Sequence, residues 1–565
     1  MSNVATPRMK SIHSLLLGVA IAGCGATDAA PSASGPIDKK IASLAPTPLG
    51  PAAKLDKAIA SHFAGSTAKR TYIQTDKPLY QPGETVWFRA DVRLARTMVG
   101  GPPMGVTVQL VSPRGAIIAT KRVLAQNGVA RNDFALADEI EGGEYTIQLS
   151  PDSGGTDTKK IIVNTYEAPR LMKTLELLRK AYGEGDQVTA AVEIKRTTGE
   201  VFADRPATGV VTIDDVEVAR LPLKTDKDGK ALAKFQLPAK IARGDGFLTI
   251  LVEDGGITES IQRRIPIVMK TLQLSVFPEG GDLVEGLPGR VYFMAKTTIG
   301  KPADIEGTVV DDRGTLVTEL RSIHDGMGRF ELTPQAGRTY RLEITKPVNI
   351  VTQVAVPAAK PDGCVLRSVD QRGADVVRIA ALCKTKRSVQ IEATLRDNRL
   401  AGGSFEVDPN TPAVVELPIA SRAQGAVRVT LFSAKNEPLA ERLVYHKGAS
   451  LKVTVTPDKK AYAPRDAVKL RIRTVDARNR PVKASLGLAV VDDTVLSYAD
   501  DKSAKIMARM YLEPELGATA ADPIEEPNYY FSDKPDATAA MDALLATRGY
   551  RRFEWQHIVA TEGSR

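Results

Sequence analysis

The sequence predicts an all-β chain: a tandem array of about five immunoglobulin-like β-sandwiches with a small C-terminal helical insertion. The stretch Thr75-Asp76-Lys77-Pro78-Leu79-Tyr80-Gln81-Pro82-Gly83-Glu84 leads a Pro/Gly turn straight into the alternating run Val86-Trp87-Phe88-Arg89-Ala90-Asp91-Val92. The same register returns about 380 residues on in Asp458-Lys459, Tyr462, Pro464, Asp466, Val468 and Arg471, and more faintly in Tyr182, Gly185, Asp186 and Val188; such recurrence marks an array of similar units rather than one large enzyme. Long helical periodicity is absent until the C-terminus, while turn residues punctuate the chain throughout.

A chain of 565 residues is too long for a single core. Residues 1–24 read as an export signal. Arg8 and Lys10 form a basic start, and Leu15-Leu16-Leu17-Gly18-Val19-Ala20-Ile21-Ala22 is an apolar core too short to be a permanent span. It ends in Ile21-Ala22-Gly23-Cys24, which is similar to a bacterial lipoprotein signal, so Cys24 is the expected lipidation site. Residues 25–70 are rich in Ala, Pro, Ser and Gly and read as a flexible tether, with a short helix at Ala53 to Ala64 that sets Leu55, Ile59 and Phe63 on one face.

Five units follow, at 71–169, 170–268, 269–357, 358–446 and 447–565. The first shows strands at Gly105–Val111, Gly142–Leu149 and Lys160–Val163 besides Val86–Val92. The second carries Asp228-Gly229 as a hairpin signal, and the third opens on the Gly280-Gly281 and Leu287-Pro288-Gly289 turns. In the fourth, folding the chain about Gly373-Ala374 sets Cys364 opposite Cys383. An exported chain then predicts a structural disulfide between them. The fifth unit is interrupted by a helix at about Lys502 to Leu512, a Pro-rich acidic stretch from Glu513 to Asp533, and a second helix. That helix has Asp533 as cap, Pro535 in its first turn, an apolar stripe of Met541, Leu544 and Leu545, and Gly549 at its end. These helices are expected to pack on the last sandwich, and Glu513 to Asp533 to form a surface loop.

The pattern resembles the macroglobulin domains of the alpha-2-macroglobulin and complement family, in its bacterial branch. The residues that carry the resemblance are Tyr72 through Glu84, Val163…Tyr166…Pro169, Phe277-Pro278-Glu279-Gly280-Gly281-Asp282-Leu283-Val284-Glu285-Gly286-Leu287, Leu488-Ala489-Val490-Val491-Asp492, and Leu544-Leu545…Arg548-Gly549-Tyr550-Arg551-Arg552-Phe553-Glu554-Trp555. They cover the chain from about residue 70 to its end. The resemblance implies stacked macroglobulin β-sandwiches and, for the family, inhibition of endopeptidases by entrapment. It also implies a thioester motif, Cys-Gly-Glu-Gln, in some members. No Cys in this sequence is followed by Gly-Glu-Gln, so covalent capture by this chain is not expected, and the chain reads as the front section of the family's architecture.

No catalytic constellation is legible. The five histidines are scattered, and no metal-ligand spacing, nucleophile elbow or phosphate-binding loop occurs. Asp492-Asp493 and Asp500-Asp501 lack the further ligands of a calcium loop. The chain is therefore expected not to be an enzyme, to hold no metal and to need no cofactor. Its charge of +9 reads as Lys and Arg scattered among acids, which argues against nucleic acid as a partner. The expected partners are proteases or an envelope protein, and the membrane through the lipid anchor. The expected location is the periplasmic face of the outer membrane or the cell surface. Two functions follow: an endopeptidase-inhibitor-like protein, with Glu513 to Asp533 as an open question of bait, or a non-inhibitory structural or interaction module.

Overall fold

In the computed structural model the described residues are 36–165, 170–369, 375–420, 422–463, 465–491, 495–496, 503–519 and 522–550. Cys24, Tyr166, Pro169, Arg372 to Ala374, Pro464, Asp492-Asp493, Asp500-Asp501 and Arg551 to Trp555 lie outside them.

Four β-sandwiches follow one another along the chain. In the first, a three-stranded sheet has Thr85–Leu94 between Lys69–Thr75 and Val129–Ala135. It faces a five-stranded sheet ordered Leu79–Tyr80, Asp157–Val163, Gly143–Pro151, Met104–Val111, Ile117–Ala125. Alternation turns Val86, Phe88, Ala90, Val108 and Ile147 into one core, where the rings of Phe88 and Phe134 stack at 5.4 Å. The second sandwich pairs a sheet centred on Gln187–Arg196 with a four-stranded sheet centred on Pro206–Ile213 and Gly246–Asp254. The third is a single seven-stranded sheet folded on itself through Leu316–His324, which pairs with Met327–Leu332 on one side and Glu306–Asp311 on the other. The fourth sets Cys364–Ser368, Val376–Cys383 and Ala413–Pro418 against a four-stranded sheet that contains Arg387–Leu395 and Gly425–Ser433. Each sandwich has its own buried apolar cluster, as the two faces of alternating strands require.

The recurring motif has one structural meaning. Asp76 accepts hydrogen bonds from the Tyr80 hydroxyl (2.6 Å) and the Trp87 amide (3.0 Å), and Lys77 pairs with Glu84 (2.6 Å). In the last copy Asp458 accepts from the Tyr462 hydroxyl (2.6 Å) and the Lys469 amide (3.0 Å), and Lys459 pairs with Asp466 (3.3 Å). The faint copy keeps the lower half: the Arg179 amide donates to the Tyr182 hydroxyl (3.0 Å) and Arg179 pairs with Asp186 (3.2 Å), but Leu178 stands where the other copies have Asp. In each copy the cation also lies over the tyrosine ring. In the first sandwich the motif thus locks the corner where the chain steps from Lys69–Thr75 in one sheet to Leu79–Tyr80 in the other.

Several expectations fail for tertiary reasons. Asp228-Gly229 does not close a hairpin. Val216–Lys224 and Lys230–Gln236 belong to different sheets, and the turn is a corner between them, held by the Asp226 carboxylate accepting from the Asp228 and Lys230 amides. The fifth unit is not a sandwich among the described residues. It is a two-stranded ribbon, Leu451–Pro457 paired with Leu470–Asp476, with exposed apolar side chains and no second sheet. Leu486, Gly487 and Leu488 form no strand. They lie over the first sandwich beside Trp87 and border a groove of about 440 Å³, and Ser485 accepts a hydrogen bond from Arg89 (3.1 Å).

The described part of the expected tether, residues 36–70, is a strap bound to the body. Helix α1 (Pro36–Ser43) buries Ile41 against Val284, Leu287, Leu382 and Val414. The Thr47 amide donates to Val414 O (2.6 Å), and Gly50 bridges to Ser404. Helix α2 (Ala53–Phe63) buries Leu55, Ile59 and Phe63 against Phe432 of the fourth sandwich. The few apolar residues in this polar stretch are spaced to meet a preformed surface, which composition alone does not reveal.

Beside α2, Arg399 pairs with Asp56 (2.7 Å) and with Glu392 (2.8 Å). A Cβ at Gly402 opposite would fall 2.2 Å from Glu392 Oε1, so a larger residue there would displace that carboxyl. Burial pushes the Glu392 carboxyl from its ordinary 4.5 up to about 8, with a hydrogen bond to Asp56 adding to it against the pull of Arg399. The folded pKa lies above the unfolded one, so this group's contribution to stability is complete below about pH 4.5 and is lost as pH rises to about 8. Thermal unfolding recorded across that window is expected to show a falling midpoint that Glu392→Gln flattens. An unchanged slope in the variant would reject this assignment. Tyr80→Phe is expected to cost about 1–3 kcal/mol, because the half-buried Asp76 loses the donor that the buried Tyr80 supplies, whereas Tyr462→Phe on the exposed ribbon costs under about 0.5 kcal/mol. Hydrogen exchange in Lys69–Thr75 and Leu451–Pro457 reads the two separately.

Candidate functional site: the junction gathered by the C-terminal segment

Where strand Gln273–Pro278 ends, Glu279-Gly280-Gly281 turns the chain, with Gly280 at φ +82° and Gly281 at φ +123°. A side chain at Gly280 would press on the Leu366 backbone at 3.1 Å, so glycine lets the third and fourth sandwiches close on each other. The Gly280 carbonyl accepts from the Glu441 amide (2.9 Å), and the Gly281 carbonyl from the Tyr550 hydroxyl (2.6 Å). Glu279 itself accepts from the Ser368 amide (2.9 Å) and hydroxyl (3.1 Å) and from Arg442 (3.1 Å). The Pro-Glu-Gly-Gly run is therefore an interdomain joint.

Around Glu279 lies a network of four guanidinium groups and four carboxylates. Arg290 reaches Asp38 of α1 (2.8 Å), Glu279 (3.4 Å) and Glu331 (3.3 Å). Arg367 reaches Asp38 (2.7 Å) and Glu331 (2.8 Å). Arg442 and Arg329 converge on Asp542 at 2.5 and 3.2 Å. The Tyr292 hydroxyl donates to Asp542 (2.6 Å) and accepts from Arg442 (3.2 Å). Arg367 is 1% exposed, Arg442 3% and Tyr292 0%. Burial alone would raise the Asp542 carboxyl; Arg442, Arg290 and Arg329 hold it below 3.8 instead. Asp38 is likewise kept low, by Arg367 and Arg290 against its burial. Burial pushes the Tyr292 phenol up to about 12, and the Asp542 and Glu279 charges add to it.

Asp542 belongs to helix α4 (Ala537–Thr547), and the helices do not pack on the last sandwich as expected. Helix α3 (Ile506–Tyr511) and α4 frame a segment, 503–550, that crosses the other four units. On the first sandwich Arg509 pairs with Asp157, and Glu515 with Arg70 (2.9 Å). On the second, Lys180 pairs with Glu526 (3.0 Å). On the third, Lys301 pairs with Glu525 (2.9 Å), and Tyr529 stacks on His324 with centroids 3.7 Å apart. On the fourth, the Arg396 guanidinium lies over the Tyr511 ring and Phe531 meets Tyr445 edge-on. Leu516, Ile524, Tyr530, Met541, Leu544 and Leu545 share one apolar cluster with Tyr292, Met327 and Leu443. A side chain at Gly549 would strike Leu443 at 2.3 Å, which is why a glycine follows α4. The stretch expected to be a surface loop, Glu513 to Asp533, is docked along most of its described length through two short 3-10 turns, Glu513–Leu516 and Tyr529–Phe531.

The geometry offers adhesion between units. Cys364 and Cys383 are direct partners across an antiparallel pair and are joined by a disulfide inside the fourth sandwich. Among the described residues no three His, Cys, Asp or Glu side chains are grouped to hold a metal ion. Likewise, no helix is long and apolar enough to cross a membrane. The sequence flagged Glu279-Gly280-Gly281 and Gly549-Tyr550 as motif but not as one place. Arg290, Arg367 and Arg442 were missed because nothing local distinguishes a buried arginine from a surface one.

A family profile described as the MG2 domain matches residues 70–163, the first sandwich. A curated relative, an alpha-2-macroglobulin of Ralstonia nicotianae, is 26% identical over 204 residues, which are 33% of this chain and 13% of that one. Similar solved structures include Escherichia coli alpha-2-macroglobulin in its native conformation, at 13% identity over 74% of this chain and 32% of that one, with a TM-score of 0.33. Salmonella alpha-2-macroglobulin reacted with methylamine is similar at 14% identity over 79% and 34%, with a TM-score of 0.35. The chain thus matches about a third or less of the length of these proteins.

Arg442→Ala leaves Glu279 and Asp542 without their shared cation and is expected to cost about 3–5 kcal/mol. The denaturant midpoint reads the loss, and faster proteolysis within 503–550 locates it. The depressed Asp38 and Asp542 contribute stability above the ordinary 3.8 and lose it as pH falls below that value. Acid is therefore expected to loosen the segment in the parent protein, and less so in Asp542→Asn.

Proposed function

The chain is alpha-2-macroglobulin-like through its MG2 domain, and from that premise we propose that it is a non-catalytic, envelope-anchored protein that engages proteases by enclosure. The supporting observation is the clasp: one segment, 503–550, bonds to all four sandwiches. Cutting a strap of this kind frees several units at once, which is the mechanical requirement for a body that rearranges around an attacker. No Cys in these residues is followed by Gly-Glu-Gln, so enclosure by them would be steric or would work with a partner chain. Export and lipidation at Cys24 would hold the body at the outer membrane or cell surface.

A second reading is a non-inhibitory interaction module. It is favoured by the docking of Glu513 to Asp533, where Leu516, Ile524 and Tyr530 are buried and withdrawn from a protease's cleft. The two readings part on limited proteolysis with several unrelated proteases. Enclosure predicts that the first cuts fall in 513–533, that the particle contracts in small-angle scattering, and that the protease co-elutes while still cleaving a small chromogenic peptide but not a large protein. Cuts confined to residues before 70, an unchanged body and free protease would leave only the interaction module. Metabolic labelling with palmitate that disappears in Cys24→Ala tests the anchor.

A further inference from the structure

The chain has two Asp-Pro bonds, Asp408-Pro409 and Asp522-Pro523. Such a bond is chemically the most labile in a polypeptide backbone. The aspartate carboxylate can close a five-membered ring on its own carbonyl carbon, and the proline nitrogen, that of a tertiary amide, leaves as a basic secondary amine. The two bonds stand in different surroundings. The Asp408 carbonyl accepts from the Thr411 amide (3.2 Å), and among the described residues no guanidinium donates to it. At Asp522 one buried arginine, Arg548, holds both reacting groups. Its guanidinium donates to the Asp522 carboxylate (2.8 Å) and to the Asp522 carbonyl oxygen (2.9 Å). The Thr519 amide donates to the same carbonyl oxygen (3.3 Å), and the Thr519 hydroxyl accepts from the Asp522 amide (3.1 Å). Arg548 also reaches the Pro523 carbonyl (3.3 Å), and Lys296 of the third sandwich stands 3.8 Å from the Asp522 carboxylate.

We propose that Asp522-Pro523 is a self-cleaving bond, with Arg548 and the Thr519 amide as its oxyanion hole. An Asp522 carboxylate oxygen attacks the Asp522 carbonyl carbon. The carbonyl π pair moves onto oxygen, where a guanidinium and a backbone N–H already point. The oxyanion collapses and the C–N bond breaks. The Pro523 nitrogen keeps that electron pair and takes a proton from solvent. A cyclic anhydride is left on Asp522, and one water opens it to two carboxyls. The sum is hydrolysis of one peptide bond by one water, with no other reactant. Asp522 and Pro523 are both exposed, so solvent supplies the proton and the water. The bond lies between Leu516 and Ile524, which are buried in the clasp's apolar cluster. Breaking it separates the contacts of Arg509 and Glu515 with the first sandwich from those of Glu525 and Glu526 with the third and second. That tie is then undone with no protease present, so the activity is independent of enclosure.

The test incubates the full chain alone, with protease inhibitors, at about pH 5, where Asp38 and Asp542 keep their charge and the clasp stays docked. Mass spectrometry under denaturing conditions reads the products. The chain is expected to part between Asp522 and Pro523 about a hundredfold faster than between Asp408 and Pro409 in the same molecules. The rate is expected to be independent of protein concentration and to fall as pH rises, because the leaving nitrogen needs a proton. Arg548→Gln is expected to slow the break about a hundredfold. Pro523→Ala, at an exposed position, keeps every contact of Arg548 and is expected to slow it at least about tenfold by making the amide secondary. In urea, where the oxyanion hole is lost, the parent is expected to cleave both Asp-Pro bonds at similar rates. Equal rates at the two bonds in the folded parent, or an undiminished rate in either variant, would overturn the proposal. A rate that grows with protein concentration would also overturn it and assign the cut to a co-purifying protease.

Discussion

Four guanidinium groups and four carboxylates meet between the third and fourth sandwiches and tie both to the N-terminal strap and to the C-terminal helix. A buried charge is tolerated only when its partners stay in place. Most pairs in this network join different parts of the chain: Asp38 comes from the N-terminal strap, Arg290 and Glu331 from the third sandwich, Arg367 and Arg442 from the fourth, and Asp542 from the C-terminal helix. Moving any one of these elements alone strands charge in an apolar setting. The network therefore favours a single arrangement of the units more than it favours folding of any one of them.

The sandwiches themselves need no such help. Each closes its own core by alternation, and the Asp-Lys…Tyr…Glu/Asp corner can recur because its hydrogen bonds all lie within one short stretch of chain. Where the corner's aspartate is replaced by Leu178, the hydroxyl of Tyr182 still accepts from a backbone amide and the cation still covers its ring. The corner is thus a modular device, whereas the Glu279 junction occurs once.

Among the described residues the four sandwiches, the strap and the C-terminal segment are held by mutual burial, whereas the ribbon Leu451–Pro457 with Leu470–Asp476 faces no second sheet.

Sequence by itself determined what is local. Period-two alternation and spaced Pro/Gly turns specify strands, and a repeated corner specifies repeated sandwiches, since these properties depend only on neighbouring residues. Helix α2 was legible through Leu55, Ile59 and Phe63, and the Cys364–Cys383 pairing could be placed because the two residues flank one short turn. Tertiary structure alone decided what depends on distant partners. Asp38 and Asp542, more than five hundred residues apart, become members of one charge network. The strap and the clasp are bound because their few apolar residues meet surfaces assembled elsewhere in the chain. Asp228-Gly229 became a corner between sheets instead of a hairpin, because a turn signal specifies the reversal and not the sheet the next strand joins.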